Sequence, residues 1–170
     1  MKLILCLIVN TKYILSLLIC VSSLFHIGGL FAQSRIVIND NAFLVINNSA
    51  YLVIDNPSTN ALMVLGTGGN IKSGNELNRI KWNIANSTGV YTIPWTTSSN
   101  VKIPLLINKT SAGSGNGNLL LSTWESNDMN TPYPSAVSNM NLFGVDGSLK
   151  IVDRFWYINA LSYTTKPDVT

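Results

Sequence analysis

Between positions 36 and 56 the chain repeats one short apolar phrase three times at a spacing of eight. The units are Ile36-Val37-Ile38-Asn39-Asp40, Leu44-Val45-Ile46-Asn47-Asn48 and Leu52-Val53-Ile54-Asp55-Asn56, with Ala42-Phe43 and Ala50-Tyr51 recurring between them. Runs rich in β-branched residues favour extended backbone, and an Asn or Asp pair supplies the chemistry of a tight turn. Ala61 to Leu65 reads as a fourth unit, its spacing stretched by Asn56-Pro57-Ser58. Two architectures fit. One is an antiparallel meander; the other is a β-solenoid with three eight-residue faces and a coil of about 24 residues. The even alternation of strand and turn leans toward the solenoid.

Beyond Gly66-Thr67-Gly68-Gly69-Asn70 the alternating stretches lengthen. Ile80, Trp82 and Ile84 fall on one face and Arg79, Lys81 and Asn83 on the other. Tyr91, Ile93 and Trp95 alternate likewise, as do Val101, Ile103, Leu105 and Ile107. Further strands are predicted over 119–125, 142–145, 149–154 and 155–161, with Asp146-Gly147 as a hairpin turn. No segment carries a helical period with caps. The expectation is an all-β chain: a β-repeat segment over 33–70, then an antiparallel β-sandwich domain over 71–170. Trp82, Ile84, Ile93, Ile103 and Leu105 are its expected core.

The front of the chain has a different character. Lys2 and Lys12 precede a run from Tyr13 to Leu30 that is apolar apart from Ser16, Ser22, Ser23 and His26, and Ala32 offers a small residue for cleavage before Gln33. Residues 1–32 therefore read as a secretory signal peptide, with an uncleaved membrane anchor as the alternative. Cleavage changes the chemistry available, because Cys6, Cys20 and His26 are the only cysteines and histidine in the sequence. The mature chain then has no thiolate, no disulfide and no imidazole, so Ser-His-Asp and Cys-His catalysis and zinc-thiolate sites are excluded.

Composition narrows the partners. The chain is 46% hydrophobic and 11% charged, which excludes a charge-rich disordered tail and a coiled coil. Of the net charge of +3, two units belong to the leader lysines, so a nucleic-acid surface is not expected. The glycine-rich stretch Ser111 to Asn118 lies between strands, without the helix N-terminus that a phosphate cradle needs, and reads as a flexible hairpin loop. Glu76, Glu125, Asp128 and Asp153 are the acids that could pair as glycosidase carboxylates, and Asp40, Asp55 and Asp146 could offer oxygens to Ca²⁺. Scattered solvation and Asx turns account for both sets, so no enzyme, metal or cofactor is expected. Trp124, Tyr133 and Trp156 remain as candidate ring platforms for stacking on a glycan, since the two tryptophans fall out of phase with their aliphatic neighbours.

Five stretches carry a family resemblance: Ala50-Tyr51-Leu52-Val53-Ile54-Asp55-Asn56, Arg79-Ile80-Lys81-Trp82-Asn83-Ile84, Thr88-Gly89-Val90-Tyr91-Thr92-Ile93-Pro94, Pro132-Tyr133-Pro134-Ser135-Ala136-Val137, and Asp153-Arg154-Phe155-Trp156-Tyr157-Ile158 continuing to Asp168. With them, Ala42 to Thr170 resembles the N-terminal region of large Bacteroidota surface proteins of the gliding-motility-associated and type IX secretion sorting-domain group. The resemblance implies export, a secreted or cell-surface destination and a non-catalytic structural or adhesive role. It carries no active site. Expected partners are other surface domains or the C-terminal remainder of a longer chain, and glycans in the alternative reading; membrane contact is through the leader alone. The sequence ends at Val169-Thr170 where a further strand is expected. The sandwich is therefore expected to be incomplete, with an exposed edge or apolar strip near Phe155 to Leu161 that drives association.

Overall fold

The computed structural model describes residues 34–66 and 70–170; the expected leader and its cleavage point lie outside the described residues. The described chain is all-β, with no α-helix among the described residues. Gln33–Thr170 forms one compact unit.

The eight-residue phrase builds a coil. Its three units supply β1 (Ile36–Ile38), β2 (Phe43–Val45) and β3 (Tyr51–Ile54). These do not pair with one another. Each pairs in parallel with a strand about one coil later: β1 with β4 (Leu62–Val64), β2 with β5 (Asn70–Lys72), and β3 with β6 (Arg79–Asn83). Consecutive parallel pairing is solenoid geometry, and the meander alternative would have paired β1 with β2. The registers Ile36↔Leu62, Phe43↔Asn70 and Tyr51↔Arg79 make the coil slightly longer than the eight-residue phrase implies. The extra length goes into the corner at Asn56-Pro57-Ser58. There the Ser58 hydroxyl caps a 3₁₀ turn over Thr59–Ala61, and Asn56 Oδ1 accepts from Ser58 N at 2.9 Å.

The turn chemistry acts as its residue types require. Asn41, Asn48 and Ser49 take positive φ of 55°, 53° and 58°, a region Asn tolerates, and the chain closes back through Ala42 N–Asn39 O and Ala50 N–Asn47 O bonds of 3.0 Å. Corners of successive coils are tied by Asn78, whose Oδ1 accepts from Ser49 N at 3.0 Å, and by Asn83 Nδ2 donating to Asp55 Oδ1 at 3.0 Å. Inside, the third residue of each phrase (Ile38, Ile46, Ile54) is buried, while the preceding Val37, Val45 and Val53 point outward.

Antiparallel strands continue this stack. β7 (Gly89–Ile93) pairs with β8 (Leu105–Lys109), and Trp95 adds a parallel bridge to Ile71. β9 (Asn118–Glu125) lies antiparallel on β6, and β12 (Arg154–Leu161) lies antiparallel on β9, giving one four-stranded sheet in the order β3-β6-β9-β12. The repeat segment and the antiparallel part thus share a sheet, and β5 crosses the 70/71 boundary expected between them. Of the five expected core residues, Trp82, Ile84 and Ile93 are fully buried, and Ile103 and Leu105 pack against the cluster while partly open. Trp82 anchors it. Its indole Nε1 donates to Asn56 O at 2.8 Å, and its ring meets Tyr91 edge-on with centroids 5.1 Å apart.

Two local expectations are corrected. The hairpin near residue 145 turns at Phe143-Gly144, between β10 (Asn141–Leu142) and β11 (Val145–Asp146), rather than at Asp146-Gly147. Asp146 instead accepts from Ser148 N and Oγ at 2.9 and 2.7 Å, opening a second 3₁₀ turn over Ser148–Lys150, so its side chain serves an Asx turn. The glycine-rich 111–118 stretch is not a hairpin loop either, since β8 and β9 belong to different sheets. The C-terminal segment packs over it: Ser114 bridges Thr165, and a side chain at Gly117 would overlap the Tyr163 ring.

Candidate functional site

The three candidate aromatics do not share one platform. Trp124 lies opposite Phe155 across the β9–β12 pair and Trp156 lies opposite Thr123, so the two indoles project from opposite faces of the sheet. Trp124 is only 3% exposed. Its ring sits 5.4 Å from that of Phe155, and its Nε1 donates to Pro132 O at 3.2 Å. Tyr133 is half-buried beside it, with its hydroxyl 3.4 Å from Ser148 Oγ. Trp156 stands 42% exposed on the other side.

Trp124 and Tyr133 do line one cleft of about 290 Å³, with Glu76, Pro132 and Ser135. The Glu76 carboxylate is committed there. It accepts from Ser135 N and Oγ, both at 2.7 Å, and lies 3.6 Å from Arg79. A second cleft of about 360 Å³ borders Trp124 at the end of β9, lined by Lys72, Ser98, Glu125 and Arg154 among others. Glu125 accepts from Ser98 Oγ at 2.6 Å and pairs with Arg154. The Ser98 hydroxyl bond, foremost, holds the Glu125 carboxyl below the usual carboxylate range, with Arg154 adding to it. Lys72 donates to Ser98 O at 3.3 Å, with its ammonium 4.8 Å over the Phe43 ring.

Four of the seven acids named as catalytic or calcium candidates act as local fasteners: Glu76 holds the 132–135 segment, Glu125 the Ser98 turn, Asp55 a coil corner and Asp146 its own turn. No group of three or more His, Cys, Asp or Glu gathers among the described residues. Among the described residues no helix is long and apolar enough to cross a membrane.

One charged residue escaped sequence reasoning. Lys109 is buried, and its ammonium donates to three backbone carbonyls, Ala85 O, Ser87 O and Ala112 O, at 2.8, 2.9 and 2.6 Å. Burial lowers its pKa from the usual lysine value. Tyr163 closes the cage, its ring 5.5 Å from the ammonium and its hydroxyl donating to Ala85 O at 3.1 Å. The signal was present, because the period of two that runs through Leu105 and Ile107 puts position 109 on the inner face. The arrangement satisfies a bend that no ladder serves, where Ala85 adopts φ 42°. That is a structural cation.

Comparison with protein-family models, with curated proteins and with solved structures finds no match to this chain.

Proposed function

We propose that this chain is an exported, non-catalytic module of a cell-surface protein, with a structural or adhesive role. The observation that supports it most is the use to which the ionisable side chains are put. Glu76, Glu125, Asp55 and Lys109 are spent on fastening turns and corners, while the outer surface of the coils presents rows of ordinary side chains such as Val37, Val45 and Val53. A stack of parallel strands offers an extended, flat surface suited to contact with a large partner rather than to enclosing a small reactant. The signal-peptide pattern and the likeness to surface proteins point the same way.

The test is protease shaving of intact cells that make the full chain, combined with adhesion of those cells and of a deletion strain to abiotic surfaces. Surface-accessible protein lacking residues 1–32, and weaker adhesion of the deletion strain, are expected. Protein confined to the cytoplasm would refute the reading.

A second reading has one observation behind it: Trp124 and Tyr133 line the same cleft. A glycan there would stack on Tyr133 and meet the edge of Trp124. Binding on a glycan array that Tyr133→Ala abolishes, with the fold retained, would favour it over the adhesive role.

A further inference from the structure

The inner rows of the shared sheet are covered over β3, β6 and β9, but not over β12. Trp156, Ile158 and Ala160 lie opposite Thr123, Leu121 and Leu119, so they face the same side as the core. Leu119 and Leu121 are buried there, yet Trp156 and Ile158 are 42% and 51% exposed. β12 is also the last strand of its sheet, and among the described residues the backbone of 155–161 bonds to no strand or turn other than β9. It is an eight-residue edge, about 27 Å long, with no Pro or Gly and no bulge in its register. Natural edges are usually blunted by charge, Pro or bulges. The single charge here, Arg154, is paired within the chain with Glu125.

We propose that this edge is the surface on which a second copy of the chain docks, β12 against β12, in a symmetric antiparallel pair. The strand is its own complement. In an antiparallel pair opposed residues share a face, so a two-fold axis through the strand must pass at a residue, not between two. With the axis at Tyr157, each Trp156 meets the other copy's Ile158 on the inner face, and each Arg154 meets an Ala160. Both open side chains gain an apolar neighbour, and no like charges meet. The result is a continuous eight-stranded sheet, β3-β6-β9-β12 followed by its symmetric mate. The proposal is independent of the surface role suggested above, since it concerns how the chain meets itself.

The test is sedimentation of the full chain, expressed with its leader and purified in whatever form the cell leaves it. A reversible dimer is expected at roughly 100 µM, because a strand-pair interface belongs to the small, weak class. Ile158→Lys, at a half-exposed site, should give a monomer with unchanged circular dichroism. Val53→Lys, an outward position on the opposite edge strand of the same sheet, should leave the dimer intact. Should Ile158→Lys misfold, hydrogen exchange of the unaltered protein decides instead: amides within 155–161 should gain protection as concentration rises. A monomer at 100 µM, open-ended larger assemblies, a dimer that survives Ile158→Lys in a folded protein, or concentration-dependent protection confined to other strands would each overturn the proposal.

Discussion

The coils over 36–84 and the excursion over 126–153 are both rich in apolar residues, and they treat them in opposite ways. In the coils, stacking closes three faces around Ile38, Ile46, Ile54, Ile71, Ile80 and Trp82, all of which are buried. In the excursion, Leu142, Phe143, Val145, Leu149, Ile151 and Val152 all remain exposed, and Phe143 at the hairpin tip is 98% so. What holds the excursion is polar. Asn130 is fully buried and donates to Ser148 O at 2.7 Å, Asn127 Oδ1 accepts from Met129 N and Thr131 N at 3.0 Å, and Glu76 grips Ser135. The coils are stabilised by area removed from water, and the excursion by a few bonds from side chain to backbone. Apolar content by itself says nothing about burial; a second surface has to be available.

Substitutions can set the two regions against each other. The largest effect is expected in the coils: Trp82→Ala removes a fully buried ring and its bond to Asn56 O, and should cost about 3–5 kcal/mol in denaturant unfolding. A loss under about 1 kcal/mol would mean the stack is not the principal core. Next comes an alkaline effect on the same cluster. Burial, and then the charge of Tyr163, push the Tyr91 phenol up to about 12 from 10.0. A folded value raised above the unfolded one gives stability that is complete below pH 10 and lost as pH climbs toward 12. With solvent screening at the part-buried hydroxyl the loss should approach about 1–2 kcal/mol, and Tyr91→Phe should flatten this part of the pH profile. Lys109, shifted downward by burial, works in the opposite sense below its ordinary pKa, while Tyr163, raised by burial, adds to the alkaline decline.

The excursion should respond less. Asn130→Gly keeps the positive φ of 56° but takes one of two donors from Ser148 O, leaving it Ile151 N at 3.2 Å, and should cost about 0.5–1.5 kcal/mol. Hydrogen exchange should show that cost confined to 126–153 while the coil amides stay protected; global loosening would dissolve the distinction between the regions. The smallest effect belongs to Phe143→Gly. The ring touches little, and Gly relieves the φ of 51°, so stability should stay within about 1 kcal/mol of the parent or rise slightly. A clear loss would show that the hairpin tip packs on something after all.

Much of the architecture was legible along the chain, for a definite reason. A strand's side chains alternate, and a coil repeats at fixed spacing, so local periodicity alone determined the all-β class, the inward rows Ile38-Ile46-Ile54 and Ile80-Trp82-Ile84, and the Asn corners. The same period even implicated Lys109. What periodicity cannot carry is the identity of a strand's neighbour. Parallel pairing of β1 with β4 rather than antiparallel pairing with β2, the sharing of one sheet across position 70, and the C-terminal segment lying over Gly117 all join residues 26 or more positions apart. Turn preference near 145 was decided by competition, with Asp146 satisfying Ser148 and leaving the hairpin to Phe143-Gly144. The candidate aromatics followed the same division. Phase singled out Trp124 and Trp156, but only the pairing of β9 with β12 put one under the 126–153 excursion and left the other on the uncovered end of the core, because burial depends on what stands opposite a face.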